Sequence, residues 1–299
     1  MMQNGCRDLK GVILCADDFA VHESASRGIA QLATMGRISA TSAMVLSPRW
    51  AQDVALLQDL RGCIDVGLHL DWTSDFAIAA GHGLSLNAAM LKALLGGFNV
   101  AVARGVIERQ LDAFEAHWKA PPDYVDGHQH VQQFAGIREA LVAALVSRYG
   151  RADEGGNGAQ VKPNGAARER QPLPYLRISR APSGTADLKS HIIAAMGASA
   201  IEKVAAHAYL TGARGLLGIY NFADSRARYA QLMDGWLNAA PTGSIIMCHP
   251  ALTAEPGDVI GPARAQEFGY LMSDDLPEAL ERAGVELVRG AAVFGLNGN

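Results

Sequence analysis

The apolar positions of this chain gather into short runs separated by stretches of helical spacing, and several of the runs end on a group that can do chemistry. Gly11-Val12-Ile13-Leu14-Cys15-Ala16 reads as a buried β-strand and stops at two adjacent carboxylates, Asp17 and Asp18. Bare like charges at that point are costly unless a metal or a reaction holds them. Ile64-Asp65-Val66-Gly67-Leu68 ends at His69, Tyr124-Val125-Asp126-Gly127 ends at His128 and His130, and Ser244-Ile245-Ile246-Met247-Cys248 ends at His249. Polar groups collected at strand C-termini mark the catalytic rim of α/β proteins.

Between these runs the spacing predicts a helix over 23–35, a strand over 41–46, a helix over 51–60 and a strand over 63–70, a βαβαβ opening. Residues 84–118 read as helix-rich with a break at Gly96-Gly97, and Pro121-Pro122 precede the strand that Tyr124 opens. Further strands are expected over 175–179, 215–220, 243–248 and 285–288, with helices near 186–209, 224–239 and 275–283. About eight β units result, the number that closes a (β/α) barrel, and an incomplete or distorted barrel gives nearly the same pattern. The expected fold is therefore α/β, a distorted or incomplete TIM-like barrel, in one domain over 1–299. Residues 151–174, rich in Gly, Asn, Arg and Pro, are expected to form a flexible surface loop, with a lid over the rim as the sharper alternative.

Composition narrows the class. The 299 residues are 49% hydrophobic, 19% charged and 6% aromatic, with 32 glycines, which suits helices packed on a parallel sheet. A net charge of −4 argues against a nucleic-acid-coating surface. The N-terminal residues lack the apolar core of a signal peptide, and no stretch is long and uncharged enough to span a bilayer, so a cytoplasmic location is expected. Cys6, Cys15, Cys63 and Cys248 have no metal-type spacing, and the last three fall in expected strands as small hydrophobes.

A carboxylate and two imidazoles make a common three-donor site for a divalent metal, with positions left open for water and a substrate oxygen. Asp18, His69 and His128 can supply that set. Asp17 is a candidate base for an attacking water, and His249 a candidate acid for a leaving group. Asp126 is a further carboxylate at the rim or an orienter of a ligand histidine. Arg177 and Arg180 can meet a sugar hydroxyl or a leaving acetate, or pair with helix carboxylates, and Trp72 can stack on a pyranose or pack the barrel mouth. His22, His82, His117, His191 and His207 lie outside these motifs and read as surface or core positions.

Ala16-Asp17-Asp18-Phe19, Gly67-Leu68-His69-Leu70, Asp126-Gly127-His128-Gln129-His130 and Cys248-His249-Pro250, in this order, resemble the motifs of the YdjC-like carbohydrate deacetylases, the group of the chitooligosaccharide and hopanoid-biosynthesis deacetylases. The resemblance covers most of the chain from Gly11 onward, and Gly218-Ile219-Tyr220 also fits it. It implies a distorted TIM-like barrel, a homodimer, and metal-dependent removal of acetyl from an N-acetylated amino sugar or oligosaccharide. It assigns Asp18, His69 and His128 to the metal, Asp17 as base, His249 as acid, and His130 to a supporting or substrate contact. Ala20 departs from it, since a glycine is usual there. Ligand softness suits zinc, cobalt, nickel or iron, whereas the resemblance points to magnesium. The rival readings are a metal-dependent phosphoesterase on the same kind of rim, an amidohydrolase, and a non-catalytic sugar-binding protein that has kept the fold. The His-x-His pair closing the fourth strand counts against the amidohydrolase.

Overall fold

In the computed structural model, which describes residues 9–150, 173–185, 187–222 and 225–296, the first apolar run becomes β1 (Lys10–Phe19). It is followed by β2 (Ala40–Ala43), β3 (Asp65–Leu70), β4 (Tyr124–Gly127), β5 (Tyr175–Leu176), β6 (Leu216–Leu217), β7 (Ile245–Cys248) and β8 (Val285–Leu287). All pairings are parallel, in the order β5-β4-β3-β2-β1-β7-β6, and β8 pairs with the first residues of β1. The two ends of this curled sheet meet through three backbone bonds: Leu176 N–H to Thr211 O, Ala213 N–H to Leu176 O, and Leu216 N–H to Arg180 O. The result is a distorted TIM-like barrel with a thin join between β5 and β6. The expected loop at 151–174 lies outside the described residues except for its last two positions.

Strand parity decides what enters the barrel, because successive side chains point to opposite faces. On β1, Val12, Leu14 and Ala16 pack outward against the helices, while Ile13 and Cys15 point inward with Tyr124, Tyr175, Ile245 and Met247. Continuing the inward register places Asp17, His69, Asp126, Arg177 and His249 at the upper end of the interior. Gly67 is required in the layer below: a Cβ there would lie 2.5 Å from the Tyr124 ring. That phenol stacks on Tyr175 at 5.0 Å, and Phe294 closes the floor 5.1 Å from Tyr175.

The helical surroundings follow the expected periodicity with local departures. Glu23–Thr34 starts on His22, whose Nδ1 accepts the Ala25 N–H. The helix expected over 51–60 is one α-turn, Trp50–Asp53, running into 3₁₀ geometry over Val54–Leu60. Trp50 stacks on Phe114 of the long helix Val100–Trp118 and donates its indole N–H to Ala113 O. The helix expected over 186–209 breaks at Gly197 into Leu188–Ala195 and Ala198–His207, since φ there is +140°. Gly261–Leu271, a helix beside the barrel mouth, has no counterpart in the sequence reading.

Candidate active site

Alternation alone would send Asp17 into the barrel and Asp18 out among the helices. The strand avoids this with a bulge: its register against β2 shifts between Ala16 and Phe19, and Asp18 takes φ +66°. Both carboxylates then reach the mouth. Two residues on, Ala20 has φ +73°, the left-handed region that favours glycine, so the alanine occupies the conformation the resemblance expects of a glycine at some cost in strain. Its N–H is taken by Ser26 Oγ, itself bonded to Asp53.

Asp18, His69 and His128 each turn a donor atom to the same point, all within 4.8 Å of one another. Asp18 Oδ1 lies 3.4 Å from His69 Nε2 and 3.2 Å from His128 Nδ1. The other ring nitrogen of His69 is held by Asp126 Oδ1 at 2.7 Å, the carboxylate–imidazole support typical of metal-binding histidines. Burial alone would lower the His69 pKa, but Asp126 and Asp18 outweigh it and lift it to about 10. The imidazolium supplies positive charge at a place where a divalent cation would substitute for its proton. Burial would raise Asp18, yet Arg264, His128 and His69 hold it well below the usual carboxylate range.

Asp17 sits on the other flank. Arg177 grips it with two bonds, Nη1 to Oδ1 at 2.7 Å and Nη2 to Oδ2 at 2.9 Å, and reaches Asp126 Oδ2 at 2.9 Å. Ser42 Oγ donates to Asp17 Oδ1 at 3.2 Å. Burial works against the charge, but Arg177 and His69 hold the Asp17 carboxyl below the usual carboxylate range. His249 Nε2 stands 3.9 Å from Asp17 Oδ2. Burial pushes the His249 pKa down to about 4 despite the pull of Asp18 and Asp17, so its imidazole is neutral at pH 7. Cys15, Asp17 and Asp126 also come together as possible donors, but Arg177 bridges the two carboxylates of that trio.

The remaining residues named from sequence take these places. His130, with φ +64°, bonds Ser179 Oγ at 3.1 Å beside the mouth, and burial with nearby Arg177 lowers its pKa to about 3. Arg177 is 1% exposed, with both Nη atoms held by Asp17 and Asp126, which removes it from sugar contact. Arg180 points away to Ser199 and Glu202. Trp72 is 2% exposed, with the His82 and Phe98 rings in T-shaped contact with it, so it packs within the protein instead of presenting a face. Arg264 and Glu267 were not anticipated. Arg264 Nη2 donates to Asp18 Oδ2 at 2.7 Å, and Glu267 accepts the His249 N–H and the Tyr220 O–H. Pro262 at the first turn of their helix was the one local signal available.

The chain belongs to the YdjC-like family, whose model matches residues 11–282. A search of curated proteins gives no match. Among solved structures, the fold is similar to that of an Enterococcus faecalis protein assigned to cellobiose-phosphate cleavage, with a TM-score of 0.66, 19% identity, and 95% of this chain and 99% of that one covered. Weaker similarity, at a TM-score of 0.49 and 10% identity, relates it to the CE4 domain of a xylanase from the hindgut metagenome of Trinervitermes trinervoides, covering 96% of this chain and 91% of that one. A peptidoglycan N-acetylglucosamine deacetylase follows at 0.48 and 10% identity, covering 98% and 91%. The first of these similarities establishes that the barrel fold is shared along nearly the whole chain.

Proposed function

We propose that the protein removes the acetyl group from an N-acetylated amino sugar, in a chitooligosaccharide or a related N-acetylglucosamine-containing glycan or glycolipid, using a divalent metal. The observation that carries this reading is the division of the mouth into two flanks. Asp18, His69 and His128 offer three convergent donors on one side, while an ionised carboxylate and a neutral imidazole, 3.9 Å apart, stand on the other. Family membership over residues 11–282 supports it.

Those three donors suit a zinc-like ion and also accept magnesium, and such an ion, once bound, supplies a polarised amide carbonyl and an acidified water. The chain's own groups do the rest. Asp17, oriented by Arg177 and Ser42, is the acceptor for the proton of the attacking water. An amide resists hydrolysis because its amine leaves badly, so a proton must reach the nitrogen as the C–N bond breaks. His249 Nε2 is placed to deliver it. Because burial keeps that imidazole neutral, it takes up the proton within the catalytic cycle, with Asp17 Oδ2 as the neighbouring source. Asp126 fixes the orientation of His69, and His130 with Ser179 forms a polar edge for sugar hydroxyls. The same reading carries the homodimer implied by the resemblance.

The test is acetate and amine release, in equal amounts, from a panel of N-acetylated mono- and oligosaccharides and glycolipids, with zinc, cobalt or magnesium added to chelator-treated protein. Efficient cleavage of aryl phosphates with the whole acetylated panel untouched would replace this reading by a phosphoesterase.

A further inference from the structure

Arg264 and Glu267 lie one turn apart on the helix Gly261–Leu271, on a single face. Both are ionisable residues inside the protein, at 4% and 0% exposure. Such groups are rarely buried unless paired. Their partners are the two halves of the site. Arg264 bridges Asp18 Oδ2 and Asp258 Oδ2, each at 2.7 Å, and its third nitrogen faces His249 O at 3.4 Å. His22, the N-cap of the helix Glu23–Thr34, closes the outer end of this chain of contacts at 3.2 Å from Asp258. Glu267 receives the backbone N–H of His249 and the Tyr220 hydroxyl, the latter at 2.6 Å.

We propose that this helix is a brace for the site, in which Arg264 is the positioning residue for Asp18 and Glu267 the positioning residue for His249. A carboxylate at a bulge with two free oxygens could swing or offer both to an ion. With Oδ2 tied to Arg264, only Oδ1 faces His69 and His128, at 3.4 and 3.2 Å. The bidentate reach of a guanidinium is what allows one side chain to hold Asp18 and Asp258 together, a task that a lysine ammonium on a longer, floppier stem performs poorly. Glu267 acts on the backbone of His249, not on its ring, and so fixes where the imidazole starts from. Both side chains are buried, and the two should fail in different ways. The inference rests on the metal-dependent reading above.

The experiment titrates chelator-treated protein with Co²⁺, following its visible absorption, and measures kcat and KM for acetate release in the same preparations. Arg264→Gln and Arg264→Lys should weaken Co²⁺ binding by about ten- to a hundred-fold, the usual effect of losing an outer partner of a ligand, and alter the absorption band. Asp258→Asn, which removes only the outer anchor, should do so more weakly and keeps the test open if the Arg264 variants do not fold. Glu267→Leu removes the acceptor oxygens that the His249 N–H and the Tyr220 O–H both use. It should leave Co²⁺ affinity unchanged and lower kcat about ten- to a hundred-fold at constant KM, with partial recovery in Glu267→Asp. Folded Arg264 and Asp258 variants that bind Co²⁺ as the parent does overturn the Arg264 assignment, and an unchanged kcat in Glu267→Leu overturns the other. Parent protein that takes up no Co²⁺ overturns the metal reading and this inference together.

Discussion

Replacing Arg177 by methionine keeps most of the side chain's length and removes the guanidinium that lies between Asp17 and Asp126. Both carboxylates are buried, at 2% and 0% exposure, and Arg177 meets them at 2.7, 2.9 and 2.9 Å. Breaking a buried pair from one side costs about 3–5 kcal/mol, because the surviving charge is left without compensation. For 299 residues the entropy of unfolding is about 0.6 kcal/mol/K, which converts that loss to a fall of ~5–8 °C in Tm at pH 7. The sign of the pH dependence follows from Asp17. Its carboxyl is held below the usual range in the folded protein, so the pairing contributes fully above the unfolded value near 4 and is lost as the pH falls through the folded one. The difference in Tm between parent and variant should therefore be widest at neutral pH, begin to narrow below about pH 4 and close only as the pH falls toward the depressed folded value. Turnover should fall as well, since Asp17 loses both its orientation and its charged state. Thermal melts in steps from pH 7 down to about pH 2, with acetate release at pH 7, check this. A variant that melts within about 1 °C of the parent at pH 7, or a difference that does not narrow in acid, would refute the reasoning.

Asp18→Ala, His69→Ala and His128→Ala should each lose most bound metal while remaining folded, because a set of three protein donors has no spare, and elemental analysis of the purified variants reads it. Asp17→Asn and His249→Ala should keep the metal and lose ~10²–10⁴-fold in kcat, and metal loss in either would redraw the ligand set. Below the barrel, burial and Asp65 lift the Asp123 carboxyl to about 7, so its contribution to stability is greatest in acid and is lost as the pH rises through that value. Asp123→Asn should accordingly raise Tm at pH 8 and change it little at pH 4; an equal shift at both would show that the ionisation is not the cause.

Much of this architecture was legible because parallel strands are continuous apolar runs with abrupt polar ends. β1, β3, β4 and β7 each announce themselves in that way, and the inward register that gathers His69, Asp126 and His249 is simple alternation from Gly67, Tyr124 and Met247. The bulge was not legible. Nothing in Asp17-Asp18 states that the second residue takes φ +66°, although the costliness of two buried carboxylates showed that something must hold them. The strands expected over 175–179 and 215–220 pair over only two residues each, since beyond them the backbone turns to make the join instead of continuing a ladder. The helix Gly261–Leu271 escaped notice because two of its buried positions are Arg264 and Glu267. Charge where periodicity expects apolar residues hides a helix from pattern reading, and it is also what marks the helix as serving the site.

The thin join between β5 and β6 gives the barrel a mechanical character that its core does not suggest. A hoop fastened at one place by three backbone bonds yields there first and stays rigid elsewhere. Asp18, His69 and His128 ride on or just beyond β1, β3 and β4, none of them an end strand, whereas Arg177 follows the end strand β5 directly at the fastening. The three convergent donors thus belong to strands inside the hoop, and the guanidinium that holds Asp17 and Asp126 belongs to the fastening. Any opening of the join slackens the hold of Arg177 on Asp17 and, through Asp126, on His69, and amide hydrogen exchange at Leu176, Ala213 and Leu216 is the gauge that would register it.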